Sequence, residues 1–292
     1  MAFGYMLKEM AHLMKYLGKH EKENEYEKKH TELKKIINEV AWDKKGGYYV
    51  RAFSNGEVIG GADSKGSKIY VNPQSWAILG DIVPEERLPL ILDAADRYID
   101  TPLGCMVNYP AYESYDRRYG RISAQMPGTI ENGSVYCHVT SFKSAAEAKI
   151  GLGDRALKSI LKILPDSPDN PAIHSGATPF ALTSSYSTNP AVWGEAGRPW
   201  LTGTQGWVMR TVVEGFLGIR RAYGGFKIKP SLPSAWNEAQ CTIRRMGAEY
   251  QFMFKRDVGK NTNEYRVRLN GEVLTTGFIP FQAEGLHKVE ID

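Results

Sequence analysis

Thr202-Gly203-Thr204 sets a hydroxyl, a side-chain-free backbone and a second hydroxyl in consecutive positions, between Pro199-Trp200-Leu201 and an amphipathic run. Val208, Val212, Gly215 and Phe216 recur at i, i+4, i+7 and i+8, which gives that run one apolar helical face. Thr202 can cap the helix, and Gly203 lets backbone approach a ligand closely. Such a helix start presents unpaired N–H groups and partial positive charge, chemistry that suits a phosphate or another small anion. An ordinary capped helix has the same local signature, so a functional reading needs other segments.

The elements around this turn are helix pairs joined by long loops. Phe3, Met6, Leu7, Met10, Leu13, Met14 and Leu17 keep helical spacing until Gly18, and Tyr26, Leu33, Ile36, Ile37 and Val40 mark a second helix, so the two form an antiparallel hairpin. Short extended runs are expected over 48–53 and 68–71, and helices over 75–79, 84–98, 142–152 and 154–164. The helix after Thr204 is expected to end near Gly218. Segments 104–134 and 165–198 are punctuated by Pro and Gly and read as loops, which in a compact helical domain usually bind something. From Phe226 onward alternating runs separated by turns replace the helices, and Asn270-Gly271 is a strong hairpin signal.

Composition narrows the function classes. At 42% apolar and 24% charged, the 292 residues are an ordinary globular chain, enough for one large domain or two smaller ones. The net charge of +4 is scattered, and its densest stretch interleaves Lys with Glu, the pattern of a solvated helix face and not of a nucleic-acid stripe. Cys105, Cys137 and Cys241 make neither metal-ligand spacing nor a disulfide framework, which points to a reducing, cytoplasmic setting. No apolar run approaches a membrane span, so no membrane partner is expected.

Several ordered segments carry a family likeness: Trp42-Asp43, Tyr49-Val50-Arg51-Ala52-Phe53, Asn72-Pro73-Gln74-Ser75-Trp76, the stretch from Pro127 through Glu131-Asn132-Gly133-Ser134 to His138, Gly153-Asp154-Arg155-Ala156, Trp200-Leu201-Thr202-Gly203-Thr204 and Leu217-Gly218-Ile219-Arg220. Together they resemble glycoside hydrolase family 94, which contains cellobiose, cellodextrin, laminaribiose, cellobionic acid and chitobiose phosphorylases. The resemblance implies a mainly α fold: the C-terminal half of an (α/α)6 barrel over 1–224, followed by a C-terminal β-sandwich-like domain over 225–292. It also implies homodimers of the full-length protein, a β-linked glucose disaccharide or oligosaccharide and phosphate as substrates, and no cofactor, inorganic phosphate being itself a substrate.

The family's chemistry is phosphorolysis with inversion. Phosphate is already an anionic nucleophile, so one carboxylic acid that protonates the leaving oxygen suffices. By resemblance, His138, Thr202 and Gly203 bind phosphate, and Glu131 binds donor-sugar hydroxyls. Thr183 or Ser184 lies near a donor-binding position that is often Gln in the family. Arg121 and Gln125 fall on the acceptor side, where a guanidinium would favour an aldonic acid such as gluconate by bidentate pairing; Gln125, not being basic, weakens that case. The family's acid is an Asp in an Asp-Trp-Asn-Asp-like motif upstream of the segment matching Met1, and this sequence contains no such motif. The chain alone is therefore expected to be inactive, and to expose apolar helix faces that the rest of a barrel would cover.

Two other functions compete: a non-catalytic sugar-binding or structural fragment, and an inverting hydrolase, against which an anion site of His138 with Thr202-Gly203 argues. Trp42, Trp76 and Trp207 sit on helical patterns and read as core more than as sugar platforms, while Tyr109, Tyr112, Tyr115 and Tyr119 cluster in the loop before Arg121 and could stack on a sugar.

Overall fold

The computed structural model describes residues 1–256 and 265–292. They divide into two compact units, one of 1–146 with 158–208 and the other of 147–157 with 209–292.

The first unit is helix-rich. Helix α1 (Ala2–Tyr16) buries Gly4, Leu7 and Ala11, a stripe at helical spacing, and antiparallel α2 (His20–Val40) follows a turn that Gly18 makes at φ +67°. The outer face of α2 is charged as its sequence suggests. Lys22 and Lys29 both donate to Glu25, at 2.7 and 2.6 Å, and these hydrogen bonds, the one from Lys22 foremost, push its carboxyl down to about 2. Helices α3 (Val71–Leu79) and α4 (Leu88–Tyr98) pack with α2 around Ile37, Tyr49, Ala77, Ile82 and Ile91. A second cluster joins Tyr48, Ile69, Val71, Ile99, Val107 and Val139.

Helix α5 (Cys137–Lys149) starts five residues before the expected 142. Its first turn, Cys137-His138-Val139-Thr140-Ser141, is poor in helix formers, and burial of Cys137 and Val139 in two apolar clusters overrides that propensity. Then follow α6 (Gly153–Ile163), the short α7 (Ala172–Ser175) and α8 (Thr204–Arg210). The helix expected to run on to Gly218 instead switches at Thr211 to a π segment, Thr211–Phe216, whose wider turn has Leu217 N–H bonding Val212 O at 3.0 Å.

In the second unit, strands Ile219–Ala222, Gly225–Ile228 and Phe278–Pro280 form one sheet. Five strands form another, in the order Glu238–Arg245, Ala248–Lys255, Gly285–Ile291, Val267–Leu269 and Glu272–Val273. Ala248–Lys255 runs parallel to Gly285–Ile291. Phe226, Ile228 and Ile279 of the smaller sheet share one apolar cluster with Tyr250, Phe252, Phe254 and Val289 of the larger. The Asn270-Gly271 hairpin forms as its sequence indicates: both residues have positive φ, 51° and 87°, and Leu269 pairs with Glu272.

Candidate functional site

Three helices of the first unit begin on one hydrogen-bonded network. Val71 N–H, at the start of α3, bonds Val107 O at 3.1 Å, and Val107 N–H bonds Ser134 O at 2.9 Å. Val135–Tyr136 leads into α5, whose Cys137 N–H bonds Ser184 O at 2.9 Å. Thr183 O in turn accepts from the Thr204 hydroxyl at 3.4 Å, at the start of α8. These starts are therefore linked through neighbouring loops.

One turn into these helices, three aromatic rings meet in a triangle. Trp76 and Phe142 have centroids 5.2 Å apart, Phe142 and Trp207 4.6 Å, and Trp76 and Trp207 5.7 Å, all edge to face. Each ring is only half-buried. Trp76 and Trp207 thus pack in an aromatic cluster while staying partly exposed. Trp42 does have a packing role, between Tyr49 at 5.1 Å and the Arg87 guanidinium at 4.4 Å.

The His138 imidazole lies one turn before Phe142 and packs on it at 4.5 Å. Gly203 abuts that imidazole so closely that a Cβ there would come within 2.6 Å of His138 Cε1 and 2.7 Å of Nε2. The two loops singled out in the sequence therefore meet. Thr202 Oγ1 accepts the Thr204 N–H at 3.1 Å and lies 2.6 Å from the Thr204 hydroxyl, so it caps the first turn of α8. His138 Nε2 is shut off from solvent and has no hydrogen-bond partner among the described residues. Burial lowers the pKa of the ring from its ordinary value, which keeps it neutral. The unfolded chain thus takes up this proton first as pH falls. The contribution is fully present above pH 6.5 and declines as pH drops from 6.5 toward the depressed folded value. Urea midpoints on either side of that pH are expected to fall less on acidification in His138→Gln than in the unsubstituted chain.

Glu131 presents an exposed carboxylate on loop 127–134. Its backbone N–H donates to Gln125 Oε1 at 2.9 Å, so Gln125 holds the loop that carries Glu131. Tyr136 has its hydroxyl pKa raised first by burial and then by the Glu131 charge, with Arg198 opposing, so both charges act on this ring. Arg198 leads into the Thr202-Gly203 turn. The Thr183 and Ser184 hydroxyls are buried and both donate to Gly197 O, at 2.7 and 2.5 Å. Arg121 is exposed on a 3₁₀ turn, Gly120–Ala124. The tyrosine cluster splits up. Tyr112 is buried with its hydroxyl 2.5 Å from that of Tyr70 and its ring on Tyr119, while Tyr109 and Tyr115 are exposed.

Asn132 is a positioning residue that the sequence did not single out. Fully buried, it accepts Tyr112 N–H at 2.7 Å and donates to Tyr112 O at 2.9 Å and Gln125 O at 2.8 Å. Nothing in its sequence neighbourhood marks it beyond its place beside Glu131, because its partners are distant in the chain. Asn132→Ala leaves the Tyr112 backbone groups buried and unpaired, and is expected to cost about 2 kcal/mol in denaturant unfolding.

Comparison with known proteins identifies the fold's relatives. The family model for the glycosyl hydrolase 94 superfamily catalytic domain matches residues 1–218. A solabiose phosphorylase from Paenibacillus borealis is 34% identical over 89% of this chain and 34% of its own length. A 3-O-beta-D-glucopyranosyl-beta-D-glucuronide phosphorylase from the same organism is 32% identical over 100% of this chain and 38% of its own. The chain thus spans about a third of the length of these curated relatives. A solved sialidase chain shares the fold at TM-score 0.55 and 12% identity, covering 81% of this chain and 21% of the sialidase. Among the described residues no helix is long and apolar enough to cross a membrane. By the match that runs from Met1 through Leu217-Gly218, the chain belongs to the glycosyl hydrolase 94 superfamily.

Proposed function

We propose that this chain forms the phosphate side of the active site of a disaccharide or oligosaccharide phosphorylase. In the reaction a phosphate oxygen bonds to the anomeric carbon of a β-glucoside as the glycosidic C–O bond breaks, inverting that carbon. The leaving oxygen takes a proton from a carboxylic acid, and the products are a sugar 1-phosphate and the free acceptor. In this reading His138 and the Gly203 backbone hold phosphate, with the Thr202 hydroxyl beside them. Glu131 binds hydroxyls of the donor sugar, and Ser184 supports the wall behind it. The helices belong to an (α/α)6 barrel and the two sheets to a β-sandwich-like domain. The observation that carries the reading is the buried His138 Nε2 set against Gly203, a position with no hydrogen-bond partner among the described residues.

The acceptor is proposed to carry a carboxylate, paired by the Arg121 guanidinium. A relative whose name specifies a glucuronide supports this choice. Gln125, tied to the Glu131 backbone, acts through that loop and not on the acceptor directly.

The test has two parts. Calorimetry with inorganic phosphate is expected to detect binding by the purified 292-residue chain, while phosphorolysis of cellobiose by that chain alone is expected to be undetectable, because the Asp-Trp-Asn-Asp-like acid motif is absent from it. Absence of phosphate binding would overturn the reading, and sugar 1-phosphate release would overturn the assignment of the acid elsewhere. With an acid-bearing barrel half supplied, glucose 1-phosphate should be consumed faster with gluconate than with glucose or cellobiose; no such preference would sink the carboxylate acceptor.

A further inference from the structure

Trp76, Phe142 and Trp207 come from α3, α5 and α8, and four residues before each ring stand Asn72, His138 and Gly203. Residues i and i+4 lie one above the other on a helix face. The three helices start from the same backbone network, through Val107, Ser134, Ser184 and Thr183. Asn72 and His138 thus each stand one helical turn before rings that touch, Trp76 and Phe142, and Gly203 abuts His138.

Two of these positions carry orphaned polar atoms. Three buried side-chain atoms lack a hydrogen-bond partner among the described residues: Asn72 Oδ1, His138 Nε2 and Ser231 Oγ. The first two stand four residues before Trp76 and Phe142, rings that are only half-buried. A carboxamide oxygen shut away from water without a donor costs folding free energy, and a buried polar group left this way in a native fold calls for a partner from outside the chain.

We propose that Asn72 is a further ligand-binding residue of this site, its Oδ1 accepting a hydroxyl from the molecule that His138 holds. The proposal rests on the phosphorylase reading. The oxygen is an acceptor only, so it has nothing to offer a fully ionised phosphate oxygen. Its partner is an O–H, from a pyranose or from the P–OH of hydrogen phosphate. The apolar ring floor beneath suits the C–H face of a pyranose, which makes the sugar the expected source.

Calorimetric titration of the 292-residue chain with inorganic phosphate and, separately, with glucose 1-phosphate tests this. Asn72→Ala is expected to weaken glucose 1-phosphate about tenfold, the loss of one hydrogen bond, and to leave inorganic phosphate unchanged. Asn72→Leu keeps the volume, removes the orphaned oxygen and should do the same without lowering the melting temperature, which separates ligand binding from a folding defect. Weakening of both ligands supports the site with the P–OH as donor. Unchanged binding of both in both variants, while His138→Ala still loses phosphate, overturns the role of Asn72 and leaves the phosphorylase reading standing. Failure of the unsubstituted chain to bind either ligand overturns both.

Discussion

His138→Ala is expected to weaken phosphate binding by about 100-fold while leaving the melting temperature unchanged or raised. The two halves of this result have one cause. The imidazole makes no side-chain hydrogen bond among the described residues, and its Nε2 is buried without a partner. In the folded protein without ligand it is therefore a small liability, and its removal forfeits mainly the contact with Phe142. With phosphate bound, the same atom becomes a donor to an anion in a partly desolvated place, where a hydrogen bond to a charged group is worth about 1.5–3 kcal/mol. His138→Gln, which retains a nitrogen donor, should lie between the two, about tenfold down. The measurement is a phosphate titration beside a thermal melt. A structural histidine would give the opposite pattern, with a lowered melting temperature and unchanged affinity, and that outcome would refute the anion role.

What the sequence discloses here is local chemistry. Thr202-Gly203-Thr204 is legible as a capped turn because the cap and the helix it serves are adjacent in the chain, and Thr202 does bond Thr204 N–H. Asn270-Gly271 is legible for the same reason, since both residues must take positive φ and their types allow it. The true start of α5 is not legible. Cys137 to Ser141 favour extended structure, and only their burial against distant residues makes them helical. The change of hydrogen-bond step at Thr211 leaves the apolar spacing nearly intact and so cannot be read from periodicity. The parallel pairing of Ala248–Lys255 with Gly285–Ile291 is equally hidden, because alternation marks a strand and not its neighbour. His138 stands out through family resemblance alone; taken by itself it is one histidine on a helix.

Both loops that bear these groups contain backbone strain. Ile130, directly before Glu131, has φ 51°, and Arg198 and Trp200, directly before the Thr202 turn, have φ 52° and 71°. None is glycine, and a β-branched residue in this region is a true outlier. Each costs on the order of 1–3 kcal/mol and persists only where the surroundings fix it. Around Ile130 the fixing comes from Gln125 on the Glu131 N–H and Asn132 on Tyr112 and Gln125. A chain that tolerates strain at both loops gains a defined position for the Glu131 carboxylate and for the Gly203 backbone, which relaxed loops would leave loose.

Gly203→Ala is expected to weaken phosphate binding as much as the loss of His138 does, about 100-fold, and to destabilise the fold only modestly, by about 1 kcal/mol. The methyl would lie 2.6 Å from Cε1 and 2.7 Å from Nε2, too close for contact with a rigid ring, so the imidazole must move. The atoms it meets are those that face the ligand in the proposed site. The double variant with His138→Ala distinguishes displacement of the ring from any independent role of position 203. Once the ring is gone, the methyl meets none of its atoms, so Gly203→Ala should then add little further loss, and the two effects should be strongly non-additive. Fully additive losses would mean that the two positions act independently and that the contact between them has no functional consequence. Unchanged phosphate affinity in Gly203→Ala alone would mean that the ring has somewhere harmless to go, and the anion would have to be held without it.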